Sequence, residues 1–412
     1  MNTFPKIRLK KSELKRFQSL HPWVYSNELV ESSKGIEAGS IVELCLENGD
    51  FLALGFANSK SLIAFRVLTR KKEDIDASFF IRKISEARKL RDTLGLQGSR
   101  RIVHGESDYL PGLIIDEFFI SSNETQRESI LSVHLNSAGI DKAWNDFALS
   151  EKISQIFTDT DICRAIIIHR DSKGRELEGL ADLPQEFIHV QAAELDFANL
   201  KIDVDVGEVL PFCVDLISGQ KGGFFLDQRA NVATLRNTLQ KMKFNSPVRV
   251  LDLFSYCGQW GVGVGALLKD KHSVEVTFAD ASDKALALAT RTSKDLGLAA
   301  QSVQLDLVEK DWPWEPRSFD VVICDPPALI KSKKHYFAGK RAYEKVMARA
   351  SRLLKYNGVF VASSCSYHLS REDLREVLNP QLRIFGELSL PPDHTALTSF
   401  PEGHYLKGYY LI

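Results

Sequence analysis

Two short stretches of the chain carry residue types suited to covalent and acid–base chemistry, CDPP at 324–327 and SSCS at 363–366. Each follows an apolar run, VVI in the first and GVFVA in the second, so each reads as a buried strand that stops abruptly. Two prolines end a hydrogen-bonded ladder and stiffen its exit, which fixes Asp325 where the strand opens. Cys365 is a thiol among serines at a strand end. Deprotonated, it is a nucleophile, and its small hydroxyl neighbours spare the thiolate a wholly apolar pocket. A small hydrophobe closing a buried strand would look the same. Because side chains alternate along a strand, Cys324 should point away from whatever Asp325 faces, and it is read as core.

Three more carboxylates recur at strand ends. In VLDLFSYCGQWGVG a strand reaches Asp252, and a loop holding Gly258 and Gly261 leads into a helix. This is no dinucleotide fingerprint, since Phe254 and Tyr256 stand where a pyrophosphate would need small residues. Asp280 closes VEVTFAD and Asp306 closes SVQLD. In that order the three acids offer an adenosine-containing ligand a partner for its amine or hydroxyl groups, one for its ribose diol and one for its adenine edge. Any one of them could instead cap the helix behind it. The series of three favours the ligand.

The elements that must position these groups lie in the last part of the chain. From about residue 189, after strands near 189–217 and a helical stretch ending near Lys241, strand and helix patterns alternate. VRVLDLF, VEVTFAD, SVQLDL, FDVVICDPP and GVFVASSC read as strands. SDKALALATRTSKDLGL reads as a helix capped by Ser282 and stopped at Gly297. A further helix is expected from about Arg341 to Lys355. Alternation with short connections implies a doubly wound, mostly parallel sheet. Upstream, SIVELCLENGDFLALGFAN predicts a hairpin about Asn48-Gly49, with SLIAFRVLTR as another strand. Helix SFFIRKISEARKLRDTLGL, three strand candidates and an amphipathic helix over Lys142–Phe157 then form an α+β insert. The boundaries fall at 1–75, 76–188 and 189–412.

Composition limits the classes of function. At 412 residues, 44% hydrophobic and 26% charged, the chain has the makeup of a globular protein with several domains. It contains no run of about 18 apolar residues, and its basic N-terminus lacks the apolar segment of a secretory signal. The six cysteines form no C-x-x-C pair, which suits reduced thiols in the cytoplasm and offers no metal-ligand set. A net charge of −1 rules out a global basic field. Locally, six Lys or Arg within residues 1–16 face Glu13 alone, and Lys331, Lys333, Lys334, Lys340 and Arg341 cluster without an acid. Such patches can hold a polyanion or be merely solvated.

The phrases FFLDQR, VLDLFSYCG, CDPPALIKSK, SSCSY and PEGHYLKGY, in this order, resemble the PUA-domain-containing S-adenosylmethionine-dependent RNA (cytosine-5-)-methyltransferases. Within that family the likeness is to the bacterial enzymes acting on 23S ribosomal RNA, and it runs through nearly the whole chain. The resemblance implies a Rossmann-like class I methyltransferase domain preceded by a β-rich PUA domain (1–75) and a small central α+β domain (76–188). It implies S-adenosylmethionine as cofactor and RNA, 23S ribosomal RNA, as partner, with no membrane and with room for a homodimer. Phe225, Gln228 and Arg229 would help close the cofactor pocket. Asp252, Ser255 and Gly258 would line its methionine side, Asp280 the ribose, Asp306 the adenine, and Asp325 the cleft between cofactor and base. Cys257 stands where the family has Thr, and Leu329 where it has an aromatic residue.

Carbon-5 of a pyrimidine is a poor nucleophile, and attack of a thiolate on carbon-6 activates it. Cys365 would supply the thiolate and Asp325 would engage N3 or the exocyclic amine. The basic segment LIKSKKHYFAGKRAY, expected as a loop, would hold phosphates through Lys331, Lys333 and Lys334, with Tyr336 or Phe337 free to stack a base. Two other functions fit parts of the pattern. One is methylation of an exocyclic amine such as guanine N2, which needs no thiol. The other is a non-catalytic RNA-binding role in ribosome assembly, which predicts a degenerate cofactor site.

Overall fold

The structure, a computed structural model, describes residues 4–31, 33–122, 127–157, 162–172, 174–189 and 195–412. Met1–Leu195 together with Pro392–Gly403 cluster as one compact unit, and Asp196–Pro391 with His404–Ile412 as a second.

In the first unit, five strands form a sheet in the order β1-β3-β4-β5-β2. They are β1 (Lys6–Leu9), β2 (Trp23–Tyr25), β3 (Ile41–Leu46), β4 (Phe51–Ala57) and β5 (Ile63–Thr69), with a short helix α1 (Leu14–Gln18) between β1 and β2. The β3–β4 hairpin turns where Asn48-Gly49 demands it, with Gly49 at φ +92° and the Asp50 N–H donating to the Asn48 side chain. Helix α2 (Ala77–Thr93) starts at Asp76, whose carboxylate accepts from the Phe79 N–H, and stops before Gly95.

A second sheet follows, ordered β10-β9-β8-β7-β6, from β6 (Arg100–His104), β7 (Leu113–Phe119), β8 (Glu128–Leu135), β9 (Ile162–Arg170) and β10 (Leu183–His189). Only β8 and β9 run parallel, joined through α3 (Ala138–Asp146) and α4 (Leu149–Phe157), while α5 (Gly174–Leu177) precedes β10. The single helix expected over Lys142–Phe157 is thus two. Ser137 caps the first four residues earlier than Lys142 would allow, and Ala148 at φ +47° breaks the run. The C-terminal stretch Pro392–Gly403 joins this unit at Arg91. That fully buried guanidinium is held by the Asp108 carboxylate at 2.6 and 2.9 Å and by the Asp393 carbonyl at 3.0 Å.

The second unit opens with the hairpin β11 (Leu200–Asp205) and β12 (Val209–Val214), followed by α6 (Arg229–Leu239). Its main sheet has seven strands in the order β15-β14-β13-β16-β17-β19-β18. They are β13 (Val248–Leu253), β14 (Val274–Asp280), β15 (Ala299–Gln304), β16 (Phe319–Cys324), β17 (Leu354–Ser364), β18 (Ile384–Glu387) and β19 (Lys407–Leu411). β13 to β17 are parallel and β19 lies antiparallel between β17 and β18. The connecting helices are α7 (Gln259–Leu268), α8 (Asp283–Asp295), α9 (Tyr336–Arg352) and α10 (Arg371–Glu376). The chain winds outward from β13 through β14 to β15, then returns to β16 on the other side. That reversal opens a crevice at the carboxyl ends of β13 and β16.

Two expectations change here. β15 ends at Gln304, so Asp306 lies in the turn beyond it, where its carboxylate accepts from the Val308 and Glu309 N–H groups. The segment expected as a basic loop is helical from Tyr336. Gly339, Tyr343, Val346, Met347 and Ala350 are buried at helical spacing, and that apolar stripe outweighs the lysines between them. Among the described residues no helix is long and apolar enough to cross a membrane.

Candidate active site

Strand alternation sorts the two chemically loaded strand ends onto opposite faces. Cys324 is fully buried in the core cluster with Phe360, Ala362 and the α9 residues Tyr343, Val346 and Met347. Ser364 and Ser366 face the same way, for the Ser364 hydroxyl donates to the Tyr343 hydroxyl at 2.9 Å and Ser366 Oγ shares a bond with it at 2.8 Å. Asp325 and Ser363 face α6. There the Gln228 amide donates to Asp325 Oδ2 at 2.9 Å and to Ser363 Oγ at 3.0 Å, and its oxygen accepts from Asn231. The Trp260 indole also reaches Asp325, at 3.3 Å. Burial pushes the Asp325 carboxyl up from its ordinary range, against the pull of the Ser363, Trp260 and Gln228 hydrogen bonds.

A cavity of about 450 Å³ lies over these strand ends. Its lining brings together Phe225, Gln228, Ser255, Asp280, Asp306, Asp325 and Cys365, all singled out from sequence. Arg229, Asp252 and Gly258 stand behind that wall. The Gln259 amide, turned so that its nitrogen meets the Phe225 carbonyl at 2.9 Å, accepts from the Arg229 N–H at 3.2 Å and latches the FFLDQR segment to α7. Gly258 has φ +81°, and a Cβ there would stand 2.8 Å from the Ala289 Cβ and 2.9 Å from the Phe278 ring. Only glycine fits.

The loop from β13 to α7 is strained. Phe254 at φ +60° and Tyr256 at φ +47° adopt left-handed conformations that cost non-glycine residues energy. Tyr256 is pinned by its N–H to Asp280 Oδ2 at 2.9 Å, and the other Asp280 oxygen takes the Ser282 N–H at 2.8 Å. Asp252 is 1% exposed. Its Oδ2 accepts from the Gly261 N–H at 2.8 Å while Oδ1 has no partner, and neither has the Ser255 hydroxyl. Burial raises the Asp252 carboxyl to about 8, with the Asp325 and Asp280 charges adding to the effect and the Gly261 N–H opposing it.

Of the six cysteines only Cys365 is more than marginally exposed. Burial pushes its thiol up, as do Asp325 and Asp227, while Lys221 pulls it down. Cys257 lines the cavity too, but burial drives that thiol far above the ordinary range. Leu329 packs against the core, with its N–H toward the Tyr343 hydroxyl.

Sequence reasoning missed a charged group at the mouth. Lys221 donates to Asp227 Oδ2 at 2.7 Å, the Tyr405 hydroxyl donates to the same oxygen at 2.7 Å, and the ammonium lies 4.5 Å from the centre of the Phe225 ring. GQKGGFFLDQR spaces the lysine six residues from its acid, and only the left-handed turn at Lys221 and Gly222 folds them together. The sequence signals that turn only through the glycines around Lys221, and nothing in it pairs the lysine with Asp227.

The basic segment beyond Pro327 divides. Lys331, Lys333 and Lys334 are exposed, whereas Lys340 is tied to Asp373 at 2.8 Å and Glu376 at 2.7 Å. Tyr336 donates to Asp373, leaving Phe337, 74% exposed, as the open aromatic ring.

Comparison with known proteins adds two family models, a PUA-like domain over residues 7–70 and a methyltransferase small domain over residues 220–381. A ribosomal RNA large subunit methyltransferase I of Klebsiella pneumoniae is 30% identical over 424 aligned residues, covering 98% of each chain. One of Erwinia tasmaniensis is 29% identical with the same coverage. Among solved structures, a putative methyltransferase complexed with SAH superposes with a TM-score of 0.74 at 16% identity over 99% of both chains. A putative SAM-dependent methyltransferase from Streptococcus mutans does so with a TM-score of 0.72 at 15% identity over 99% of both chains. These two share the fold.

Proposed function

The chain belongs to the ribosomal RNA large subunit methyltransferase I family, and on that premise we propose that it methylates carbon-5 of a cytosine in 23S ribosomal RNA, in the cytoplasm, through a covalent adduct of Cys365. The coarser activity, S-adenosylmethionine-dependent methylation of large-subunit ribosomal RNA, follows from the family.

The residues present fit the cofactor. The unpartnered Asp252 Oδ1 and Ser255 Oγ are acceptors for its amino-acid end, beside the loop that Gly258 permits. Asp280 suits the ribose, and Asp306, with Leu305 and Leu307, the adenine. Phe225, Gln228 and Arg229 form the wall latched by Gln259. When bound, S-adenosylmethionine supplies an electrophilic methyl group.

Cys365, as thiolate, adds to carbon-6 of the base, and the pair displaced from the 5,6 double bond makes carbon-5 nucleophilic. Asp325 has a raised carboxyl and can therefore donate a proton or hydrogen bond to N3, which draws that pair into the ring. Once carbon-5 is methylated, loss of its proton restores the double bond and expels the thiolate. Lys331, Lys333 and Lys334 hold phosphates beside the cavity, and the 1–75 domain grips RNA further from the target base.

The observation that carries this reading is the placement of Cys365, the one partly exposed thiol, in the same cavity wall as Asp325. Unmodified 23S RNA offered with methyl-labelled cofactor, then mapped base by base, tests it. The expected product is 5-methylcytosine, and RNA carrying 5-fluorocytidine should trap the wild type but not Cys365→Ala. Label on an exocyclic amine, or undiminished activity in Cys365→Ala, would overturn the proposal.

A further inference from the structure

We propose that a basic groove in the first unit, lined by α2, α4 and the end of the second sheet where β6 begins and β7 stops, binds the phosphate backbone of the ribosomal RNA substrate. The groove has a volume of about 1040 Å³, at the top of the range of small-molecule pockets. One face of α2 lines it from Ala77 to Asp92 at helical spacing, a length of about 22 Å. Arg82, Arg88, Lys89, Arg100, Arg127 and Lys152 line it against a single acid, Asp92. The chain as a whole carries a net charge of −1, so this is positive charge gathered into one place. A concave wall of one sign focuses its field and draws in ions of the other.

Neighbouring acids do not use up this charge. Arg82 is matched by Glu73 at 2.6 Å and Glu86 at 3.3 Å, and Arg100 by Asp92 at 2.8 Å and Glu117 at 3.0 Å. Lys89 and Arg127 are exposed, and no ion pair among the described residues involves either. Lys152 gives its ammonium to a neutral group, the Phe147 carbonyl at 3.1 Å. A solvated helix face keeps its cations in water and pairs them along the helix. Here Arg88 and Arg100 are buried in the groove's lining, 8% and 7% exposed. The Arg127 guanidinium stands 3.6 Å from the centre of the Phe119 ring, and an exposed planar cation at stacking distance offers a platform for a nucleobase. An acidic protein segment would answer the charge alone. The length of the groove, the stacking platform and a family whose substrate is ribosomal RNA favour a strand of RNA. The proposal rests on that substrate and not on the base methylated or the role of Cys365.

Lys89→Glu combined with Arg127→Glu reverses two exposed charges of the groove. In filter binding of unmodified 23S RNA across a salt series, the double variant should bind roughly tenfold more weakly at low salt, with the log–log salt slope flattened by about 1.5. Its affinity for S-adenosylhomocysteine, measured by calorimetry, should be that of the wild type, which shows that the second unit is intact. Unchanged RNA affinity and slope overturn the proposal, and would leave the groove to an acidic protein. Should the double variant not fold, the wild type decides. Surface lysines are acetylated with and without 23S RNA and read by mass spectrometry, and RNA should protect the exposed Lys89 severalfold. Equal acetylation of Lys89 in both samples overturns the proposal. Failure to make 5-methylcytosine would sink the carbon-5 reading without touching either readout, since both ask only whether RNA lies in the groove.

Discussion

Replacing Asp252 with asparagine should stabilise the second unit increasingly as pH rises, while weakening its hold on the cofactor. The Asp252 carboxyl sits at about 8 in the folded chain and near 3.8 when exposed. Below the unfolded value both states are protonated and the group costs nothing. Between the two values the unfolded chain ionises and the folded one does not, so stability falls by about 1.4 kcal/mol per pH unit, roughly 4 kcal/mol between pH 4.5 and 7.5. Above the folded value the loss levels off. Asparagine is nearly isosteric, keeps an acceptor for the Gly261 N–H and does not titrate. Its buried NH₂ lies where Oδ1 has no partner, a penalty of about 1–3 kcal/mol at every pH. Comparing two pH values cancels that constant. Calorimetry of wild type and Asp252→Asn at pH 4.5 and 7.5 is the assay, with the transition of the second unit identified in the wild type by its rise with S-adenosylhomocysteine. The gap between the variants should move in favour of asparagine by about 10 °C from the lower to the higher pH. A gap that does not change with pH refutes the account of Asp252 as a buried acid whose ionisation waits for a ligand.

Three further outcomes follow from the same geometry. Gly258→Ala must adopt φ near +81° and press a methyl group between Ala289 and Phe278, so unfolding of the second unit should come about 2–4 kcal/mol sooner in urea; an unchanged midpoint counts against the tight turn. Charge reversal of Lys331, Lys333 and Lys334 to Glu should lower RNA affinity and flatten its salt dependence by roughly 2 in the log–log slope, measured by filter binding; equal slopes would remove these lysines from the RNA contact. Gln228→Leu deletes one of the hydrogen bonds that favour ionised Asp325, so the limb of the methyl-transfer pH profile that reports Asp325 should move up; a stationary limb would assign it to another group.

Much of the second unit was legible because its signals are local. Ser282 and Gly297 bracket α8 as their capping chemistry requires, and Asn48-Gly49 marks its hairpin in the first unit for the same reason. Alternation on β16 was enough to send Cys324 to the core and Asp325 to the crevice. What failed depends on backbone states that composition does not announce. Nothing in AWNDFALS requires a left-handed Ala148, and an apolar stripe was needed to see that the lysine-rich segment after Pro327 turns helical at Tyr336.

The same distinction separates the parts of the site. Acids at strand ends can be read one at a time, because each strand delivers its own last residue to the crevice. Partners that meet from distant positions cannot. Lys221 with Asp227 and Tyr405, and Lys407 with Ser366, become neighbours only when β19 inserts beside β17 and the GQKGG turn bends left-handed. Of these groups Lys221 and Asp227 act on the Cys365 thiol, Lys221 lowering it and Asp227 raising it, beside the larger effect of burial. A sequence can therefore nominate the thiol, but the charges that surround it, Lys221, Asp227 and Asp325, are assembled only by the fold.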